Sequence, residues 1–191
     1  METAALYFSS LKKQLLYYKT IGEKAMLQLE PEQLFITTNE DSNSIATIVK
    51  HISGNMISRW TDFLTTDGEK EWRNREAEFE NDLTTPGALF AIWNKGWDCF
   101  FDAIDSLKPE DLGKIIYIRN EGQTALDAIN RQLAHYPYHI GQIVFYAKQL
   151  KNASWDSLSI PRNNSNTYNS EKFAQDKTVK HFTDDELEKL K

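Results

Sequence analysis

Apolar residues recur every three to four positions along four stretches of the chain, a spacing that predicts four amphipathic helices. The first runs from about Ala4 to Leu29 on Ala5, Phe8, Leu11, Leu15, Tyr18 and Leu29. Glu30-Pro31 ends it, because a residue before proline is pushed out of the helical region. The second opens at the cap pair Asn43-Ser44 and reaches about Leu64, with a stripe of Ile45, Ile48, Val49, Ile52, Met56, Trp60 and Phe63. A polar connector, Thr65 to Thr85, follows. Thr85-Pro86-Gly87 then starts the third helix, with proline at its first position, and its buried face would be Leu89, Trp93, Trp97, Phe100, Phe101 and Ile104. Lys108-Pro109 closes it. The β-branched run Lys114 to Arg119 fits a small hairpin and is too short for a larger sheet. The last helix runs from about Gln123 to Leu150 on Leu126, Ile129, Leu133, Tyr136, Ile140, Val144 and Ala147.

This pattern predicts an all-α fold: a four-helix bundle over residues 1–155, with a small hairpin before the last helix. Residues 156–191 turn polar and lose the period, so they read as an irregular C-terminal tail with a short helix after Thr183. At 191 residues the chain is long enough to bury a core without a metal or disulfide staple. Its one cysteine, Cys99, excludes an intramolecular disulfide, and beside Phe100 it reads as a packed thiol. A net charge of −6 argues against nucleic acid as a partner. The start Met1-Glu2-Thr3-Ala4-Ala5-Leu6 lacks a signal-peptide pattern, and no stretch approaches the roughly 18 apolar residues of a membrane span. The expected location is the cytoplasm, with no membrane partner.

The chemistry lies with the histidines. Of the four, His51 falls in the second helix and His135 and His139 in the fourth, while His181 is in the tail. His135 and His139, four apart, project from one helix face. Each of the three helical histidines sits roughly 100–140° from the centre of its helix's apolar stripe, where a bundle helix meets a neighbour or a cleft. An i, i+4 imidazole pair joined by a third from another helix makes a facial three-nitrogen site. Such a site suits zinc, nickel or iron(II), with positions left open for water or substrate. The alternative for each is an ordinary hydrogen-bonded histidine, and spacing alone leaves both readings open.

Other metal and nucleotide classes fail on spacing. Tyr136 stands where a zincin needs glutamate, and Ile48, Gln132 and Tyr136 stand where a di-iron bundle needs Glu-x-x-His. No phosphate-cradling glycine motif is present. Pro137, between the paired histidines, either aims them by a kink or is a bend tolerated by packing. Asn55, Gln132 and Gln142 are placed to orient ligands. Arg73 and Arg75, with Trp72, either clamp an anionic group over a pocket or form a solvated connector, the blander and preferred reading. Trp93 and Trp97 form an aromatic ridge suited to a core or a dimer seam.

His51, with Leu133-Ala134-His135-Tyr136-Pro137-Tyr138-His139-Ile140-Gly141-Gln142-Ile143, resembles the DinB-like (damage-inducible protein) superfamily. His51 to Met56, Arg59 to Leu64 and Ser159-Ile160-Pro161-Arg162 are similar to an uncharacterised bacterial branch of it. The resemblance implies a four-helix bundle that binds a divalent metal through His51, His135 and His139. It also implies activity on a small-molecule substrate, as a thiol (bacillithiol-type) S-transferase acting on small electrophiles, with a low-molecular-weight thiol as second cofactor and a homodimeric state. The competing expectation is a non-catalytic metal-binding or stress-response protein.

Overall fold

The computed structural model describes residues 2–190. Its long helices are α1 (Glu2–Leu27), α2 (Ile45–Trp60), α3 (Pro86–Ser106) and α4 (Ala125–Lys151). Between α3 and α4 lie β1 (Ile115–Ile118) and β2 (Glu121–Thr124), paired antiparallel with Ile118 opposite Glu121. Two short helices follow, α5 (Ser165–Phe173) and α6 (Phe182–Lys189). The protein is therefore mainly helical, and no helix is long and apolar enough to cross a membrane.

The helix starts follow from capping. Ser44 Oγ accepts from the Thr47 N–H at 3.0 Å, Thr85 Oγ1 from Ala88 at 3.2 Å and Thr124 Oγ1 from Asp127 at 3.1 Å, each satisfying an N–H that the first turn leaves open. α2 packs along α3, and α1 along α4. A Cβ on Gly96 of α3 would lie 2.8 Å from Ser53 Cα, so the bare glycine lets the two helices cross at close range. The Trp93–Trp97 ridge is fully buried in the chain's own core with Phe100 and Tyr136, so it is core and not a seam. Trp60 Nε1–H donates to the Tyr136 hydroxyl at 2.8 Å, and that hydroxyl donates to Asn55 Oδ1 at 3.3 Å, whereas the Trp97 Nε1–H is buried with no acceptor.

Several boundaries differ from the pattern reading. α1 stops at Leu27, leaving Leu29 outside, and Ala5 faces solvent. α2 stops at Trp60, because Thr61 turns extended at ψ 122° and Asp62 then takes a left-handed φ of 50°. Phe63 and Leu64 thus belong to the loop, although Phe63 still reaches the core. Phe101 is only partly buried. The fourth helix begins at Ala125, since Gln123 pairs with Ile116 in the hairpin. It continues through Pro137 as one helix. The tail is not irregular throughout: it holds α5 as well as the expected last helix. His181 caps α6 and, with Phe182 and Asp184, docks it onto Ser10, Tyr17 and Lys13 of α1.

Candidate metal centre

α2 and α4 bring His51, His135 and His139 together, with one ring nitrogen from each within 4.8 Å of the others. The i, i+4 spacing on α4 stacks His135 on His139, and their Nε2 atoms stand 3.1 Å apart. His51 comes from α2, with ring centroids 5.7 Å from His135 and 5.0 Å from His139. His181 takes no part, being the cap of α6.

What each ring does with its other nitrogen decides the chemistry. His51 Nδ1 meets Glu78 Oε2 at 3.0 Å, His135 Nδ1 meets Gln132 Oε1 at 3.1 Å, and His139 Nδ1 meets Gln142 Oε1 at 2.7 Å. All three partners are acceptors, so each Nδ1 is the donor, which leaves each Nε2 to present a lone pair whenever its ring is neutral. Two lone pairs 3.1 Å apart repel unless a proton or a metal cation lies between them. In a tetrahedral zinc site with Zn–N of about 2.0–2.1 Å, ligand nitrogens lie about 3.3 Å apart. The donor set and its spacing therefore fit a divalent metal held by three neutral imidazoles. Burial, reinforced by the neighbouring histidines and by Arg131 and Arg59, holds the His135 pKa down at about 4. Burial likewise lowers that of His139, outweighing its bond to Gln142. Both rings are thus neutral at pH 7.

Gln132 and Gln142 hold the positions that spacing on α4 suggested. Asn55 instead accepts from Tyr136, and among the described residues no hydrogen bond joins it to the three rings. Glu78 was not legible. It lies in a 3-10 turn (Glu76–Phe79) of the connector, far from His51 in sequence, with no motif to mark it. The connector is not solvated around it: the Arg73 side chain is 3% exposed and that of Glu78 8%. Arg73 grips Glu78 with a two-pronged bond, Nε to Oε1 at 2.7 Å and Nη2 to Oε2 at 2.9 Å. Burial acts to raise the Glu78 pKa, but the bonds from His51 and Arg73 prevail and hold it below the usual carboxylate range. Phe79 lies against the His51 ring at 5.0 Å, and Trp72 points to solvent. Gly54, one turn from His51, makes room for this arrangement, since a Cβ there would lie 2.7 Å from Glu78 Cδ.

Cys99 is not grouped with the histidines. It contacts Thr61 Oγ1 at 3.7 Å, and burial pushes its thiol pKa up, which disfavours the thiolate. Beside His51 and His135 opens a cleft of about 220 Å³, floored by Asn55 and Gln132.

A model of the family described as "Protein of unknown function (DUF1572)" matches residues 2–164. That span includes α1 to α4 and every residue of the centre. No curated protein and no solved structure matches the chain.

Proposed function

The chain belongs to the DUF1572 family, and from its histidine centre we propose that it is a divalent-metal protein of DinB-like type. In this reading α1 to α4 form a four-helix bundle, and the metal, zinc or nickel in preference to iron, sits between α2 and α4. The observation that carries it is the engagement of all three Nδ1 atoms by acceptors in rings whose nitrogens gather within 4.8 Å of one another, which leaves each Nε2 available to a metal. His51, His135 and His139 would hold the metal, and when bound it would supply Lewis acidity that lowers the pKa of a coordinated thiol or water.

The activity we propose is transfer of a low-molecular-weight thiol to a small electrophile, in the cytoplasm. Gln132, Gln142 and the Glu78–Arg73 pair fix the imidazoles in their ligand tautomer, and the cleft admits a small molecule next to His51 and His135. A non-catalytic metal-binding role is the second reading. It is favoured by Glu78, the carboxylate at the centre, being tied to both His51 and Arg73 and so not free to act as a base. Pairing of two copies would have to use apolar surface such as Tyr138 and Phe145, exposed on α4.

Elemental analysis of the purified protein beside His51→Ala, His135→Ala and His139→Ala tests the metal. About one equivalent in the native protein, lost in each variant, is the expected result. Metal that survives all three substitutions overturns the site. For the activity, the metal-loaded protein is assayed with bacterial low-molecular-weight thiols and a chromogenic electrophile. Conjugation abolished by His135→Ala supports transfer, and metal without conjugation leaves the binding role.

A further inference from the structure

Five of the chain's six arginines line the one cleft beside the histidines, and none of its lysines does. They arrive from four separate parts of the fold: Arg59 from α2, Arg73 and Arg75 from the connector, Arg119 from the hairpin turn and Arg131 from α4. In a chain of net charge −6, this concentration of one cationic residue is not a product of overall composition. Helical spacing accounts for part of it. Arg59 follows His51 by two turns on α2 and Arg131 precedes His135 by one turn on α4, so both face the same side as the histidines.

The carboxylates present do not use up these cations. Glu69 alone receives Arg59 at 3.1 Å, Arg73 at 3.2 Å and Arg119 at 3.3 Å. Glu78 is committed to Arg73, and the exposed Glu76 reaches Arg75 only at 3.6 Å. Among the described residues Arg131 has no carboxylate partner, and the Nε of Arg59 is buried with no hydrogen-bond acceptor. Arg59 is 6% exposed, so that N–H has been taken out of water without compensation. Guanidinium, planar and carrying several parallel N–H donors, is the side chain suited to carboxylate and phosphate oxygens.

We propose that this cleft is an oxyanion-binding site, so that the molecule presented to the histidine centre carries a carboxylate or a phosphate. Arg131, Arg119 and Arg75 grip the anion, while Arg59 and Arg73, held by Glu69 and Glu78, supply a fixed positive floor. The proposal rests on the metal reading only for what the anchored molecule meets at its other end.

Calorimetric titration at low ionic strength tests it, with inorganic phosphate, succinate and the neutral succinamide as probes and metal-free and zinc-loaded protein in parallel. The expected result is saturable one-site binding of an anion, with no binding of succinamide. The stronger of phosphate and succinate names the source of the oxyanion. The Arg119→Gln/Arg131→Gln pair, on exposed side chains, should weaken it at least about tenfold with an unchanged circular dichroism spectrum. His139→Ala, which does not line the cleft, should keep the binding in the metal-free protein. Absence of saturable binding by both anions, or affinity unmoved in the double variant, overturns the proposal. Zinc content is read on the same samples. Anion binding without zinc sinks the metal centre alone, and zinc without anion binding sinks the oxyanion site alone.

Discussion

Gly54 shows how a single position can govern a side chain it never bonds. Glycine inside a helix costs about 0.5–1 kcal/mol relative to alanine, and in α2 the space it leaves is filled by the Glu78 carboxylate. Gly54→Ala should therefore keep the helix while pushing Glu78 off His51, lowering zinc affinity about 10- to 100-fold in a competition titration. Unchanged affinity would mean that Glu78 does not orient the ring. Glu78→Gln is expected to act differently. It keeps an acceptor near His51 but strips the charge from the buried Arg73, which retains only Glu69. The expected cost is about 3 kcal/mol in urea unfolding, the low end for breaking a buried pair. At this scale the sequence was legible where helical spacing rules: His135, His139, Gln132 and Gln142 are neighbours on one helix. Glu78 was hidden because the ring it bonds, His51, is distant along the chain, and Arg73, weighed as a clamp, read as solvated because its local composition looks like that of any loop.

Among the elements, the long helices were readable because each has a cap, a stop and an apolar stripe of the right period. The errors lie where something non-periodic intervenes. Strand pairing of Gln123 delays α4, and the extended Thr61 followed by the left-handed Asp62 cuts α2 short before its apolar run ends. α6 is polar in composition, buries only Thr183, and owes its place to contacts with α1: Lys13 with Asp184 at 2.7 Å, Ser10 with His181 at 3.1 Å, and the edge of Tyr17 on Phe182. One aromatic pair and an exposed ion pair together stabilise by about 1–2 kcal/mol. Truncation after residue 164 should thus lower the melting temperature by a few degrees and leave zinc stoichiometry unchanged. The crossing of α2 and α3 is less forgiving. Gly96→Ala places a Cβ against the Ser53 backbone and should cost about 1–3 kcal/mol in chemical denaturation.

For the molecule as a whole, the depressed histidine pKa values make stability depend on pH. His135 titrates near 4 in the fold and near 6.5 when unfolded, with His139 shifted in the same direction. Between those values the unfolded chain takes up protons that the native chain refuses, so stability is complete above about pH 6.5 and is lost as pH falls toward 4. For His135 the full loss is on the order of 3 kcal/mol. Urea unfolding of metal-free protein at pH 7, 6 and 5 should show this decline, and His135→Gln should flatten it. Another consequence comes from the hairpin at the mouth of the cleft. Its two-residue turn places Arg119 and Asn120 at φ of 55° and 64°, as a primed turn requires, and Asp67 clamps both backbone N–H groups at 2.9 and 2.8 Å. A clamped turn fixes where the Arg119 backbone stands, so its guanidinium swings from a set anchor point. On the oxyanion reading, ligands too short to bring their charged end within the sweep of that anchor would bind less tightly than longer ones with the same end groups.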